Sequence, residues 1–154
     1  MAASAAMLFC ACAQEAPFGR VEAGVKFHRL AVLPFSDARG RGVEVSKLLA
    51  VELAHRDFNP VEQGQLDVLI AAMNLEPGSE IGLSTLGDIR RSTFADAIVV
   101  GSVDSRWSAA NVVLIDTKTG ATLFSARVEP GRGSFASVQE IVERVAEAFS
   151  GWQR

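Results

Sequence analysis

The chain has 154 residues, 49% of them apolar and 21% charged, a length that fits one domain and a balance able to bury a core. Its formal net charge is −3 and its pI about 5.4, so no global positive field draws it to nucleic acid or to an anionic surface. Two histidines and two cysteines are poor material for a metal site, and no apolar run reaches the roughly 18–20 residues of a membrane-spanning helix.

Both cysteines lie near the start, in Met7-Leu8-Phe9-Cys10-Ala11-Cys12-Ala13-Gln14. Small and apolar residues run from Met1 to Ala13 and give way to Gln14 and Glu15, as at the end of an export signal, although no Lys or Arg precedes Arg20. Two cleavage readings compete. Ala11-Cys12-Ala13 is an A-x-A site that releases a soluble chain beginning at Gln14. Phe9-Cys10-Ala11-Cys12 resembles a bacterial lipobox, with Phe9 in place of the usual leucine, and there Cys12 carries the lipid. The bland reading is an apolar tail on a cytosolic protein. Residues 14–28 hold Pro17, Gly19 and Gly24 among scattered charges without a period, which reads as a tether. The expected organisation is thus an export or lipoprotein signal remnant at 1–13, the tether at 14–28, and one domain at 29–152. Either cleavage leaves that domain without a disulfide.

Arg29 to Phe35 is apolar on both faces, as in a central strand, with Pro34 expected near its end because proline cannot donate to the ladder. Ser36 to Gly42 reads as a loop. Val45, Leu48, Leu49 and Leu53 place a helix over Val43 to about Arg56. Phe58 to Glu62 is a short strand candidate weakened by Pro60. Leu66, Leu69, Ile70 and Met73 give a second helix ending before Pro77, and Leu86, Ile89 and Phe94 a third, shorter one. Ala97–Val103 and Asn111–Asp116 read as buried strands, and Thr122–Glu129 alternates with Phe124, Ala126 and Val128 on its dry side. Asp116 to Gly120 is the hairpin loop between the last two. Ser137 and Glu140 form a capping box for a final helix whose Val138, Ile141, Val142, Val145, Phe149 and Trp152 share one face, with Gly151 as its stop. The order predicts a single layered α/β (α+β) domain with a mixed sheet of about five strands and about four helices.

Four segments taken in order resemble a known family. They are Leu30 to Phe35, Phe58 to Asp67, Ala95 to Val103 and Val113 to Gly120. Together they are similar to the curli-secretion lipoprotein (CsgG-like) group and to the amino-terminal domain of TolB, with lipoprotein activators of penicillin-binding proteins as structural relatives. The resemblance spans about residues 29–130. Gln63 departs from the family's usual arginine, and Gly87 to Ala95 is longer than usual. What the resemblance implies is a non-enzymatic envelope protein of the bacterial periplasm, tethered to the outer membrane by lipid at Cys12. It would assist assembly or secretion by binding other envelope proteins, with a homo-oligomer allowed, no nucleic acid, and membrane contact through the lipid alone. It is a short version, because the gaps after the third- and first-from-last strands cannot hold hairpins with crossing strands of about 9–11 residues.

The residues themselves give little chemistry. Gly40-Arg41-Gly42 follows a strand and opens a helix, where backbone N–H groups would suit a phosphate, but Val45 replaces the third glycine of a dinucleotide fingerprint and no Gly-Lys-Ser/Thr follows. A small nucleotide- or ligand-binding domain using Gly40 to Gly42 is the alternative function, and an activator of cell-wall synthases is another. His28 and His55 have no acid or nucleophile in sequence reach, and there is no G-x-S-x-G elbow. Asp96, Asp104 and Asp116 read as strand-edge and turn residues rather than a carboxylate cluster, and Arg90-Arg91 as a solvated helix face. No catalytic residue, cofactor or metal ligand is expected.

Overall fold

The computed structural model describes residues 27–153, so the signal remnant, Cys12 and nearly all of the tether lie outside the described residues. Five strands and four helices follow one another as β1 (Leu30–Val32), β2 (Ser36–Asp37), α1 (Gly42–His55), α2 (Gln63–Ala72), α3 (Leu83–Thr93), β3 (Ala97–Val103), β4 (Ala110–Asp116), β5 (Thr122–Val128) and α4 (Val138–Trp152). The sheet is open and mixed, in the order β1-β3-β4-β5, with β2 also lying on β3. β1 and β2 run parallel to β3, while β4 and β5 extend the sheet antiparallel. Expected and observed fold class agree.

Alternation along the strands divides the core in two. Leu30, Val32, Ala97, Val99, Val103, Val112, Leu114 and Phe124 face α1 and α4, which supply Val45, Leu49, Leu53, Ile141, Val142, Val145 and Phe149. Ala31, Leu33 and Ile98 face the other way, onto Leu66 of α2 and Leu86 and Ile89 of α3. The first layer is completed by an aromatic chain in which Phe27 stacks on Trp152 at 5.5 Å and Phe124 meets Phe149 at 5.0 Å.

Four expectations need correcting. Phe58 to Glu62 makes only an isolated bridge between Leu30 and Pro60, because Pro60 has no N–H to continue a ladder. Ser36–Asp37, read as loop, pairs with β3, so the first strand resumes after Pro34. Gly151 does not stop α4, which runs on to Trp152; the Trp152 ring, held between Phe27 and Phe124, keeps the last turn wound. Phe94 is not on the buried face of α3 but just past its end, in left-handed backbone and exposed. The capping box is present in altered form: Ser137 Oγ accepts from the Glu140 N–H, and Glu140 reaches back to the Ala136 N–H.

Two glycines are fixed by close approach. A Cβ on Gly42 would run into the Phe35 carbonyl, and one on Gly101 into the Phe35 ring and to 2.7 Å from the Asn111 carbonyl oxygen. Both seat Phe35, the fully buried residue where β1 passes into β2.

Candidate interaction surface

The two sheet faces are covered unequally. α1 and α4 cover the strands of one face, whereas α2 and α3 cover the other only over β1 and the start of β3. Beyond them Val100, Val113 and Ile115 remain half-buried and Asn111 exposed. Walled by Leu75, Pro77 and Ile81 from the connection between α2 and α3, this floor forms an apolar groove of about 300 Å³. Ser36, Ser79, Ser102 and Asn111 give it a polar rim. An apolar floor with a few convergent hydrogen-bonding groups fits a docked segment or small ligand. The residues carrying it were legible only as strand residues; their exposure follows from how far the helices reach.

At the same end the loop from Ser36 to Gly42 closes on itself. Asp37 Oδ1 accepts from the Arg39 N–H at 3.1 Å and Oδ2 from the Arg41 N–H at 3.0 Å, while the Trp107 indole N–H donates to Oδ1 at 3.0 Å. Burial works against ionisation of Asp37, but the Trp107 indole and the two backbone donors outweigh it and hold the carboxyl below the usual aspartate range. Arg39 lies 4.5 Å over the Trp107 ring, with Arg41 at 5.8 Å. Two of the N–H groups of that loop are taken by the chain itself, since the Gly40 N–H donates to the Asp37 carbonyl and the Arg41 N–H to its carboxylate.

The remaining sequence candidates are scattered. Asp96 Oδ2 accepts from the His28 N–H at 2.7 Å and the Arg29 N–H at 3.3 Å, fixing where the chain enters the domain. Asp104, at the far end of β3, is bonded by Ser108, whose hydroxyl is the main reason its carboxyl titrates below the usual range. Asp116 Oδ1 accepts from Lys118 and Thr119 in the hairpin loop. The three aspartates are not brought together, and among the described residues no His/Cys/Asp/Glu group is arranged to hold a metal. His55 ends α1. Arg91 pairs with Asp88, whereas Arg90 makes no ion pair among the described residues.

A second exposed patch lies at the C-terminal end of α3. Leu83, Gly87, Arg90, Arg91, Phe94, Thr117 and Lys118 line a shallow depression beneath α3. Phe94 (φ 57) and Trp107 (φ 58) are the bulky residues that hold left-handed backbone, at a cost of order 1–3 kcal/mol each. Trp107 offsets it by burial and its bond to Asp37. Phe94, 76% exposed, has no such compensation.

No family model matches the sequence, and no curated protein does. Solved structures with similar folds include the LpoB C-terminal domain from Escherichia coli, 21% identical over 71% of this chain and 87% of that one, with a TM-score of 0.55. Lipoprotein GNA1162 from Neisseria meningitidis is 13% identical over 80% of this chain and 94% of its own, with a TM-score of 0.56. TolB from Acinetobacter baumannii is 14% identical over 84% of this chain and 29% of its own, with a TM-score of 0.51. At these identities the likeness is one of fold. The TolB and LpoB part of the sequence resemblance is thus shown at the level of fold, and the curli-type part remains an expectation.

Proposed function

We propose that the protein is a non-enzymatic envelope module, exported to the bacterial periplasm and held at the outer membrane by lipid on Cys12, that binds another envelope protein through the groove over β3 and β4. The observation that carries this reading is the groove itself, an apolar sheet surface of Val100, Val113 and Ile115 left open in a domain whose other face is sealed. The Ala11-Cys12 step supports lipidation, and so does the fold shared with a lipoprotein. The role follows as assembly or secretion accessory, in keeping with the curli-type resemblance. A second reading, activation of a cell-wall synthase, is favoured by the likeness to LpoB.

Two measurements test it. Mass spectrometry of the mature N-terminus should find an acylated Cys12; a start at Gln14 replaces anchoring with secretion, and an intact Met1 in the cytosol refutes export. Photo-crosslinking from position 113 should trap one defined envelope protein, lost on Val100→Arg, while position 51 on the outside of α1 traps none. Equal crosslinking from both positions, or none from 113, refutes the groove as the docking site.

A further inference from the structure

We propose that the partner received by the groove is a second copy of this chain, with α2 of each protomer lying on the open sheet of the other about a two-fold axis parallel to the strands. This names the occupant of the docking site and rests on that site's proposed role. Leu66 is the buried residue of α2, and Asp67, engaged by Lys47 at 3.0 Å, is its one charge. Val68, Ala71 and Ala72 fall within about 60° of the side opposite Leu66 and are exposed, Val68 by 72%. A helix apolar nearly all round belongs in a covered position, yet the sheet covers only the Leu66 side of α2.

The groove has the converse deficit. Its open floor runs over β4 and β5, where Val113 pairs with Ser125 and Ile115 with Thr122. Two strands about 4.8 Å apart make a strip about 10 Å wide, the diameter of one helix. Helix and strip lie on the same face of the sheet, and Leu75, just past α2, walls the groove. One two-fold rotation therefore lays each α2 on the other protomer's strip and covers both deficits, leaving a helix layer shared between two sheets. An unrelated partner has to bring a helix for the strip and an apolar strip for α2, whereas a second copy carries both.

Charge fits the same axis. Ser36 pairs with Ser102, Ser102 with Asn111 and Asn111 with Arg127, so Arg127 marks the Ser36 end of the sheet. The connection bearing Glu76 and Glu80 lies at that end too, with Gly78 against the Ser36 side chain. Both glutamates are exposed and make no ion pair among the described residues, and Arg127 pairs there only with the exposed Glu129. A rotation about an axis parallel to the strands keeps like ends together and brings these glutamates to the partner's Arg127.

The test is sedimentation velocity on the full chain carrying Cys12→Ser, which removes the proposed lipid. The parent should dimerise. Val68→Glu, at a site exposed in the single protomer, should keep the parent's far-ultraviolet circular dichroism and weaken the dimer by about tenfold or more. Val51→Glu, on the exposed side of α1, should leave the dimer unchanged. Glu80→Arg and Arg127→Glu should each weaken it about threefold, and their combination should recover most of the loss. Photo-crosslinking from position 113 should trap the chain itself and lose that product in Val68→Glu. A monomeric parent in which position 113 traps a different protein overturns the second copy and leaves the docking role standing; a monomer that traps nothing overturns both. A dimer unaffected by Val68→Glu, or one that the combined charge exchange weakens more than either single change, overturns the proposed arrangement.

Discussion

Replacing Ile141 with Ala tests whether α4 is part of the core or a detachable element. Ile141 is fully buried on the face of α4 that meets α1 and the sheet. Ala lacks three of its carbons, worth about 0.8 kcal/mol each in transfer, or roughly 2.4 kcal/mol together. The unfilled space adds about 24 cal/mol per Å³, and the higher helix propensity of Ala returns a few tenths of a kcal/mol. The expected loss is therefore about 2.5–4 kcal/mol, or a melting point lower by roughly 10–15 °C for a domain of this size. Urea denaturation followed by far-ultraviolet circular dichroism should show a lower midpoint at unchanged slope. Val51→Ala, on the exposed side of α1, serves as control and should shift stability by less than about 0.5 kcal/mol. An Ile141→Ala midpoint no lower than that of the control would show α4 held loosely enough to leave the sheet, and the division into a sealed and an open face would fail.

Gly101→Ala should destabilise by about 1–3 kcal/mol, because its Cβ collides with the Phe35 ring and the backbone of Asn111; an unshifted thermal midpoint would show that β3 has room there. Asp37 titrates below its ordinary range when folded, so its stabilising contribution is complete above the unfolded pKa of about 3.9 and is lost as pH falls through the lower folded value. Glu62, whose carboxylate accepts from the Gly64 and Gln65 amides at the start of α2, and Asp104 act in the same sense. Melting temperature should therefore drop as pH is lowered below about 4, less steeply in Asp37→Asn. Identical profiles for Asp37→Asn and the parent would refute a stabilising contribution from the ionised Asp37 carboxylate.

The elements were legible where burial and period coincide. Val138 to Phe149 and Ala97 to Val103 keep one apolar face or an unbroken apolar run, and both stand as read. The sequence misled where a single long-range contact overrides a local signal. Gly151 carries a stop signal, yet α4 continues because Trp152 is held by Phe27 and Phe124, neither of which its neighbours reveal. Ser36–Asp37 carries a loop composition, yet β3 is long enough to pair with it past Pro34. Gln63 leaves its side-chain amide nitrogen buried without a partner.

The candidate surfaces were less legible, for a geometric reason. Val113 and Ile115 alternate as well as Val112 and Leu114, and nothing in that alternation says that α2 and α3 stop short of β4. An open sheet face is a property of helix placement. Phe94 shows the same limit at one residue. Spaced five positions after Ile89, it reads as the end of an apolar stripe, but the Phe94 N–H caps Arg90 in left-handed backbone and turns the ring outward. Trp107 adopts the same conformation and is drawn inward by Asp37, 70 residues earlier in the chain. With equal backbone strain, the difference between them is the partner. Trp107 finds a side-chain partner within the fold, whereas Phe94 is held only by its N–H bond to the Arg90 carbonyl, so one ring is drawn into the core and the other left in solvent.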